Sequence, residues 1–200
     1  MSILLNENWD GLGTWADADT DTGVSEIDPA GQLRLDTKLS AAGDGQAGRY
    51  KTIVSCPDLA TMNMRLYCDA LGAAWNDGLQ LNYGTATWKF VCYFHTGGLI
   101  ILKTGGANTE VGVDIVSTGV WVDWRFQIDK SGGEAAAVVE VFKDNVSQGT
   151  VDCDYEVASS NGLIQAALRG YLTDNLVCHI DYLRIATGLG KIQTPQCLIL

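Results

Sequence analysis

Hydrophobic and polar residues alternate along much of this chain, a pattern typical of β-strands that bury one face. Between Thr61 and Asp69 the apolar face begins at Met62 and recurs at every second position. The same period of two runs through residues 79–83, 88–95 and 120–129. The residues predicted to face the core are Met62, Met64, Leu66, Cys68, Leu79, Leu81, Tyr83, Trp88, Phe90, Cys92, Phe94, Val122, Trp124, Phe126 and Ile128. Each segment is therefore predicted to be a strand with one buried and one outward face.

Clusters of Gly, Asn and Asp separate these strands at short intervals. Asn76-Asp77-Gly78, His95-Thr96-Gly97-Gly98 and Lys143-Asp144-Asn145 are typical of antiparallel reversals. Short strands joined by such turns favour a β-sandwich or jelly roll over parallel βαβ units. Residues 158–168 are ambiguous, because their small side chains allow a short helical turn before a strand at 163–168. We predict one all-β domain over residues 1–186 and a separate C-terminal tail over 187–200.

The two ends of the domain are predicted to form neighbouring strands. An aromatic N-terminal segment leads into a strand at 32–36, and the domain closes with a strand at 179–186. A sandwich that begins and ends in adjacent strands is closed, and the tail must then leave from that shared edge. The phase of their neighbours places four tryptophans in the core: Trp9, Trp15, Trp88 and Trp124.

Composition and charge limit the classes of binding partner that we expect. Two hundred residues with 46% hydrophobic and 18% charged content suit one domain with a substantial core. The 23 glycines against 3 prolines fit many tight turns. Thirteen Lys and Arg against 24 Asp and Glu give a net charge of −11, which repels phosphate backbones and anionic lipid. Nucleic acid and membranes are therefore not expected as partners.

The sequence gives no sign of export or of a metal–thiolate site. Residues 1–7 lack the regions of a secretory signal, and no apolar run approaches the roughly 20 residues of a membrane span. The six cysteines, at 56, 68, 92, 153, 178 and 197, form no C-x-x-C pair, and neither His95 nor His179 completes a zinc cluster. We expect a soluble protein with reduced, buried thiols.

Four segments together resemble the concanavalin A-like jelly rolls, the lectin/glucanase and laminin-G-like group. They are Asn8-Trp9-Asp10-Gly11-Leu12 with Trp15 before Gln32-Leu33-Arg34-Leu35, then Trp121-Val122-Asp123-Trp124-Arg125-Phe126, Val139-Glu140-Val141-Phe142-Lys143-Asp144-Asn145 and Ile180-Asp181-Tyr182-Leu183-Arg184-Ile185. The resemblance implies a single jelly-roll sandwich of two curved antiparallel sheets, with the first and last strands adjacent. It also implies a concave face that often binds glycans.

The same resemblance implies a structural calcium in some members, held by an aspartate of the closing strand. Asp181 is the matching residue, with backbone oxygens near residues 43–45 as possible partners. Calcium takes about six to eight oxygens, and one matched carboxylate does not supply them. The alternative is that Asp181 hydrogen-bonds the N-terminal loop without metal. No other cofactor is expected.

Catalytic residues are not apparent. Hydrolytic relatives carry acidic residues at alternate positions of one strand, whereas Glu26-Ile27-Asp28 runs into Pro29 and residues 111–116 offer one acid. Lyases on a related jelly roll use Tyr, His, Arg and Gln. This chain supplies those types at Arg65, Tyr93, His95, Arg125 and Gln127, although we favour the alternative that they are ordinary polar residues of a solvated face. We therefore expect a protein that is not an enzyme.

A bound glycan would contact the outward faces of the strands, where aromatic rings stack on sugars and polar groups bind hydroxyls. The candidate carbohydrate-binding residues are Arg65, Tyr67, Asn82, Tyr93, His95, Trp121 and Arg125, with Trp75 as a loop-borne platform.

The tail and the absence of catalytic residues lead to the functional hypothesis. The apolar C-terminus, Cys197, Leu198, Ile199 and Leu200, is a candidate assembly segment. We expect a non-enzymatic, lectin-like structural or adhesion module of a tailed-bacteriophage virion, in capsid decoration or the tail. It would assemble in the host cytoplasm with copies of itself or a scaffold protein and could bind glycans. The alternative is a carbohydrate-active enzyme, a polysaccharide lyase or glycoside hydrolase, or its carbohydrate-binding module.

Overall fold

A computed structural model describes residues 1–38, 45–53, 56–72, 78–96, 98–104, 108–113, 115–155, 162–170 and 175–190. These residues form fifteen strands and one short 3₁₀ turn, Glu134–Ala136. The strands are β1 (Ile3–Glu7), β2 (Ala16–Asp17), β3 (Val24–Ile27), β4 (Leu33–Asp36), β5 (Gly45–Thr52), β6 (Leu59–Ala70), β7 (Leu79–Gly84), β8 (Lys89–His95), β9 (Gly98–Ile101), β10 (Thr109–Val113), β11 (Val122–Asp129), β12 (Val138–Lys143), β13 (Val146–Asp152), β14 (Leu163–Gly170) and β15 (Val177–Thr187). In this part of the chain, no helix has the length and hydropathy needed to cross a membrane.

The strands form two sheets. The eight-stranded sheet has the order β13-β12-β11-β6-β15-β4-β3, with β1 also paired to β15. The seven-stranded sheet has the order β10-β9-β8-β7-β14-β5-β2. Every pairing between these strands is antiparallel. The predicted all-β jelly-roll sandwich is confirmed.

Aromatic side chains join the two sheets across one core. Phe90 of β8 lies 5.2 Å from Phe126 of β11, and Phe94 lies 5.1 Å from Trp124, measured between ring centroids. All fifteen residues that the alternation places inward expose 3% or less of their surface. The four tryptophans predicted to be in the core are also buried. Burying a large apolar side chain contributes about 1.5–3 kcal/mol, so this core is the main source of stability.

The closing strand pairs with both N-terminal strands along one edge. The first half of β15 lies beside β4, with Cys178 opposite Leu35, and the second half lies beside β1, with Ile185 opposite Leu5. This confirms that the first and last strands are adjacent. The buried thiols of Cys178 and Cys68 are 2.7 Å apart, and both cysteines are free.

The link between the N-terminal loop and the closing strand is made by Arg184 and not by Asp181. The Arg184 guanidinium donates a hydrogen bond to Asn8 Oδ1 at 3.0 Å. The register of β15 against β6 shifts between Ile180 and Tyr182, which leaves Asp181 without a cross-strand partner. Its carboxylate instead pairs with Arg65 at 3.3 Å. The predicted contact of Asp181 with the N-terminal loop is therefore wrong, because alternation alone does not reveal a bulge.

The turn predicted at Lys143-Asp144-Asn145 is confirmed. Asp144 and Asn145 have φ angles of 50° and 68°, the left-handed values of a type I′ hairpin turn.

The strand predicted at 163–168 is β14. Residues 158–161, within the segment where a helical turn was considered, lie outside the described part of the chain. The tail residues 191–200, including Cys197, Leu198, Ile199 and Leu200, lie outside it as well.

Candidate functional site

The residues predicted to form one binding face lie on two different sheets. Those of the eight-stranded sheet are Arg65 and Tyr67 on β6, Trp121 just before β11, and Arg125 on β11. Those of the seven-stranded sheet are Asn82 on β7 and Tyr93 and His95 on β8. The outer faces of a two-sheet sandwich point in opposite directions, so the set cannot act as one site. Trp75 lies outside the described residues.

Strand register brings polar side chains together on the outer face of the seven-stranded sheet. Gln80 of β7 lies opposite Tyr93 of β8, and Asn82 lies opposite Gln165 of β14. Directly opposed residues of antiparallel strands point to the same side. His95 follows Tyr93 two positions along β8 and shares this face.

These side chains are enclosed although they point away from the core. Gln80, Asn82, Tyr93 and His95 each expose between 6% and 8% of their surface. On the other sheet, the side chains of Arg65 and Asp181 expose 43% and 35%. The outer face of the seven-stranded sheet is therefore not a solvated polar face. We call it the recess, defined by Gln80, Asn82, Tyr93, His95, Gln165 and Arg169.

Three amide side chains form a hydrogen-bonded line across the recess. Gln80 Nε2 donates to Asn82 Oδ1 at 2.9 Å, and Asn82 Nδ2 donates to Gln165 Oε1 at 2.8 Å. The remaining oxygen, Gln80 Oε1, is buried without a hydrogen-bond partner among the described residues. An unsatisfied buried acceptor costs about 1–3 kcal/mol. A ligand hydroxyl that donated to this oxygen would recover that energy.

Arg169 of β14 brings positive charge to the recess. Its Nε donates to Gln46 Oε1 at 2.9 Å, and Gln46 Nε2 in turn donates to the carbonyl oxygen of Ala18 at 2.6 Å. These two hydrogen bonds fix the position of the guanidinium. Burial raises the pKa of the Tyr93 phenol, and the nearby charge of Arg169 offsets part of that rise. The Tyr93 hydroxyl is therefore protonated at neutral pH.

An apolar group lies beside the polar line on the same face. Val91, Tyr93 and Leu102 are buried together, with Ile100 and Tyr155 packed against them. This cluster is separate from the main core between the sheets. The recess thus combines a polar side with an apolar, aromatic side, the usual combination in sites that bind sugars.

The central strands of the recess carry no acidic residue. The sequences of β7, β8 and β14 are LQLNYG, KFVCYFH and LIQAALRG, which contain neither Asp nor Glu. A glycosidase needs two carboxylates on either side of the scissile bond. The recess therefore suits chemistry carried by Tyr, His, Arg and amide groups.

The described residues do not assemble the calcium site that the resemblance implies. Among them, no group of three or more His, Cys, Asp or Glu side chains is arranged to hold a metal. Asp181 belongs to the eight-stranded sheet and pairs with Arg65, whereas Gly45 begins β5 in the other sheet. Residues 43 and 44 lie outside the described part. Structural calcium stays a prediction.

Arg125 has partners within its own sheet. It is 9% exposed, its guanidinium carbon lies 3.9 Å from the centre of the Phe142 ring, and its Nη1 donates to Asn145 Oδ1 at 3.2 Å. Burial lowers the pKa of Arg125. These contacts tie β11 to the β12–β13 hairpin.

A pocket of about 280 Å³ opens at another place, near β1 and β5. Its lining is mostly apolar and consists of Leu4, Leu5, Lys51, Thr52, Ile53, Tyr83 and Ile185. Burial is the main cause that raises the pKa of the Tyr83 phenol. The described lining holds no His, Asp or Glu, and its tyrosine, Tyr83, is a core residue, so the recess with His95 and Tyr93 is the better candidate site.

Sequence reasoning did not identify Gln165, Arg169 or Gln46 as site residues. Gln165 and Arg169 are four positions apart, and with Ala167 they form the outward face of β14. The period of two was present in the sequence. It was overlooked because small residues made this segment ambiguous between strand and helical turn.

No protein-family model matches the chain, and no curated protein matches it in sequence. Solved structures do match. A β-glucanase of Bacillus licheniformis gives a TM-score of 0.56 at 12% identity, over 94% of this chain and 99% of that one. Alginate lyase Aly36B gives 0.56 at 11% identity, over 92% and 96%. A sialidase gives 0.60 at 10% identity, but this chain spans only 17% of its length.

The chain has the concanavalin A-like jelly-roll fold. At these identities the likeness concerns the fold alone. It nevertheless overturns the expectation that the protein is not an enzyme, because several of the matching jelly rolls are enzymes, including a glucuronan lyase of Trichoderma reesei. The expectation was wrong in its reasoning, since a missing acidic motif excludes only one class of reaction.

Proposed function

We propose that this protein is a carbohydrate-active enzyme that binds an acidic polysaccharide in the recess and cleaves it by β-elimination. One observation carries the proposal. Tyr93 and His95 are enclosed beside Arg169 on an outer sheet face whose central strands hold no carboxylate. Enclosed titratable groups that lie close together are candidates for acid–base work. Lyase relatives of this jelly roll, as structural neighbours, support the same class.

Arg169 and the amide line are the proposed binding groups. Elimination from a uronate begins with loss of the proton beside the carboxylate, which is easier when the negative charge of the carboxylate is neutralised. A guanidinium binds a carboxylate through paired hydrogen bonds, and Arg169 is already held in place by Gln46. Gln80 Oε1 would accept a sugar hydroxyl. Preorganised groups of this kind stabilise the charge that develops in the transition state.

His95 and Tyr93 are the proposed base and acid. His95 would take the proton from C5 of the uronate, and the electron pair would form the C4–C5 double bond. The C4–O bond would then break, and Tyr93 would give its hydroxyl proton to the leaving oxygen. The two residues are two positions apart on one strand, about 7 Å along it, which is the scale of a sugar ring. Burial keeps the Tyr93 hydroxyl protonated for this role.

The overall charge of the chain does not prevent this binding. A net charge of −11 disfavours long-range steering of a polyanion. Exposed charges are screened over about 10 Å at 0.1 M salt, so the groups in direct contact decide the affinity. In the recess those groups are Arg169 and neutral amides.

The proposal is tested with a panel of polyuronates and neutral glucans. The expected product is an unsaturated uronate, followed by its ultraviolet absorbance. Tyr93→Phe should lower kcat about 100-fold or more with a small change in KM, the usual effect of losing an acid–base group. Tyr50→Phe is the matched control, since Tyr50 lies opposite Gln165 on the same face and has no proposed role.

Two results would overturn the proposal. New reducing ends without the ultraviolet product would indicate hydrolysis. Full activity of the Tyr93→Phe variant would place the chemistry elsewhere. The glycoside hydrolase alternative lacks the two carboxylates within the described strands of the recess, and the same assay separates it from the lyase.

The virion location, the assembly with copies of the chain or a scaffold protein, and the role of Cys197–Leu200 stay predictions. They rest on the sequence, and the tail lies outside the described residues. They are compatible with a carbohydrate-active domain.

A further inference from the structure

The outer face of the eight-stranded sheet carries aromatic side chains on three neighbouring strands. They are Tyr67 on β6, Trp121 just before β11, and Tyr182 on β15. The ring centroids of Tyr67 and Trp121 are 5.4 Å apart, with the rings tilted by 46°. All three residues are partly exposed, in contrast to the buried core tryptophans. We call these three residues the aromatic patch.

Arg65 lies at the centre of the aromatic patch and holds its geometry. Its guanidinium carbon is 5.3 Å from the centre of the Trp121 ring, and its Nη1 pairs with Asp181 at 3.3 Å. Tyr182 lies directly opposite Arg65 across the β6–β15 pairing. Tyr67 and Tyr182 thus lie on strands, Trp121 directly precedes one, and each ring contacts a neighbouring side chain. Rings held in this way lose little entropy when a ligand stacks on them.

The charged groups around the aromatic patch include more carboxylates than guanidinium groups. Arg65 pairs with Asp181, His179 lies 2.9 Å from Asp28, and the Arg184 guanidinium carbon lies 4.5 Å from the centre of the Tyr182 ring. The charge of Asp69 raises the pKa of Tyr67. Burial and then the hydrogen bond to Asp123 raise the pKa of Tyr182 to about 12. A polyanion would be repelled by this excess of carboxylates, whereas an uncharged sugar would not.

We infer that the aromatic patch is a second glycan-binding surface, specific for an uncharged polysaccharide. Pyranose rings would stack on Trp121 and Tyr67, and their hydroxyls would hydrogen-bond to Asp181 and Arg65. This surface is on the opposite side of the sandwich from the recess. The two sites differ in chemistry, because the recess offers Arg169 and no acidic residue on its central strands. The patch would hold the protein on a neutral polymer while the recess acts on an acidic one.

Affinity electrophoresis in native gels tests the inference. The gels contain a soluble neutral β-glucan or xylan, and migration is compared with gels that lack polysaccharide. Wild type should be retarded by at least one of the two. Trp121→Ala and Tyr67→Ala should each weaken binding about tenfold, since one aromatic contact is worth up to about 1.5 kcal/mol. Trp121→Phe retains a ring and should keep most of the retardation.

The controls separate this inference from the proposed function. Tyr93→Phe should lose turnover of a polyuronate and keep the retardation, whereas Trp121→Ala should do the reverse. Thermal unfolding of each variant verifies that it is folded. Unchanged retardation of the Trp121→Ala and Tyr67→Ala variants, or no retardation of wild type by either neutral polymer, would overturn the inference. Retardation that depends on Trp121 would support it even if no polyuronate were cleaved.

Discussion

At the scale of single residues, the recess depends on a close backbone approach at Gly78. The carbonyl oxygen of Gly78 accepts the backbone N–H of Arg169 at 3.0 Å. On its other side Gly78 lies next to the strand segment that carries Phe94 and His95. A Cβ at this position would overlap the carbonyl oxygen of Phe94. Glycine therefore allows the positively charged residue and the imidazole to face the same recess.

We expect Gly78→Ala to lower the free energy of unfolding by about 1–3 kcal/mol, because the added methyl meets backbone that cannot easily move. It should also reduce polyuronate cleavage, since His95 and Arg169 would shift apart. Urea denaturation and the ultraviolet assay measure the two effects. Gly11→Ala is the control, as a Cβ at Gly11 meets nothing within 4 Å. A Gly78→Ala variant as stable and active as wild type would contradict this account of the recess.

At single positions, the alternation in the sequence correctly predicted which face of a strand a side chain is on. It did not predict how enclosed that side chain is. It placed Asn82, Tyr93 and His95 on outward faces, as observed. It could not show that these faces are enclosed, because enclosure depends on segments far away in the chain. It also could not show that Arg65 and Tyr93 lie on different sheets, because a period of two gives the face of a strand and not the sheet to which the strand belongs.

At the scale of elements, the β3–β4 hairpin is attached to the closing strand through Asp28. The Asp28 carboxylate accepts the backbone N–H groups of Ala30 and Gln32 at 2.8 and 3.0 Å. Its other oxygen lies 2.9 Å from His179 Nδ1 on β15. Burial opposes ionisation of Asp28, but the hydrogen bonds from Gln32, His179 and Ala30 outweigh it, so its pKa lies below 3.8.

We expect Asp28→Asn to destabilise the protein at neutral pH and to have little effect in acid. A carboxylate with a lowered pKa in the folded state stabilises the protein above the unfolded pKa, about 3.8. That stabilisation is lost as the pH falls through the folded pKa. Urea denaturation of wild type and variant from pH 7 down to about pH 2 measures the difference. Asp10→Asn, at an exposed position, is the control, and a stability difference independent of pH would contradict this account.

The order of the strands within each sheet could not be predicted from the sequence. The first and last strands were correctly paired, because both carry strong aromatic and apolar signals. The insertion of β14 between β7 and β5 joins segments about eighty or more residues apart, and no local pattern specifies such a partner. The bulge at Asp181 also depends on strand pairing and could not be predicted locally. It explains why Asp181 does not make the predicted hydrogen bond to the N-terminal loop.

At the scale of the whole molecule, the sandwich presents two outer faces with different chemistry. The seven-stranded sheet encloses Tyr93, His95 and an amide line beside Arg169, and the eight-stranded sheet displays exposed rings among paired charges. Alternation and turn spacing predicted an all-β sandwich, and the resemblance to the concanavalin A-like group narrowed it to a jelly roll. They were insufficient to predict function, because the same scaffold is found in a carbohydrate recognition domain, a β-glucanase and an alginate lyase.

The most direct test of the central claim is to map the site at which an acidic oligosaccharide binds. Nitrogen-labelled protein is titrated with a short oligouronate, and the side-chain NH₂ resonances of Gln80, Asn82 and Gln165 are followed together with the indole N–H of Trp121. We predict that the three amide signals shift on binding, because the amide line forms the floor of the recess. The Trp121 signal should stay in place. Shifts confined to Trp121 and its neighbours, with the amide signals unchanged, would contradict the account.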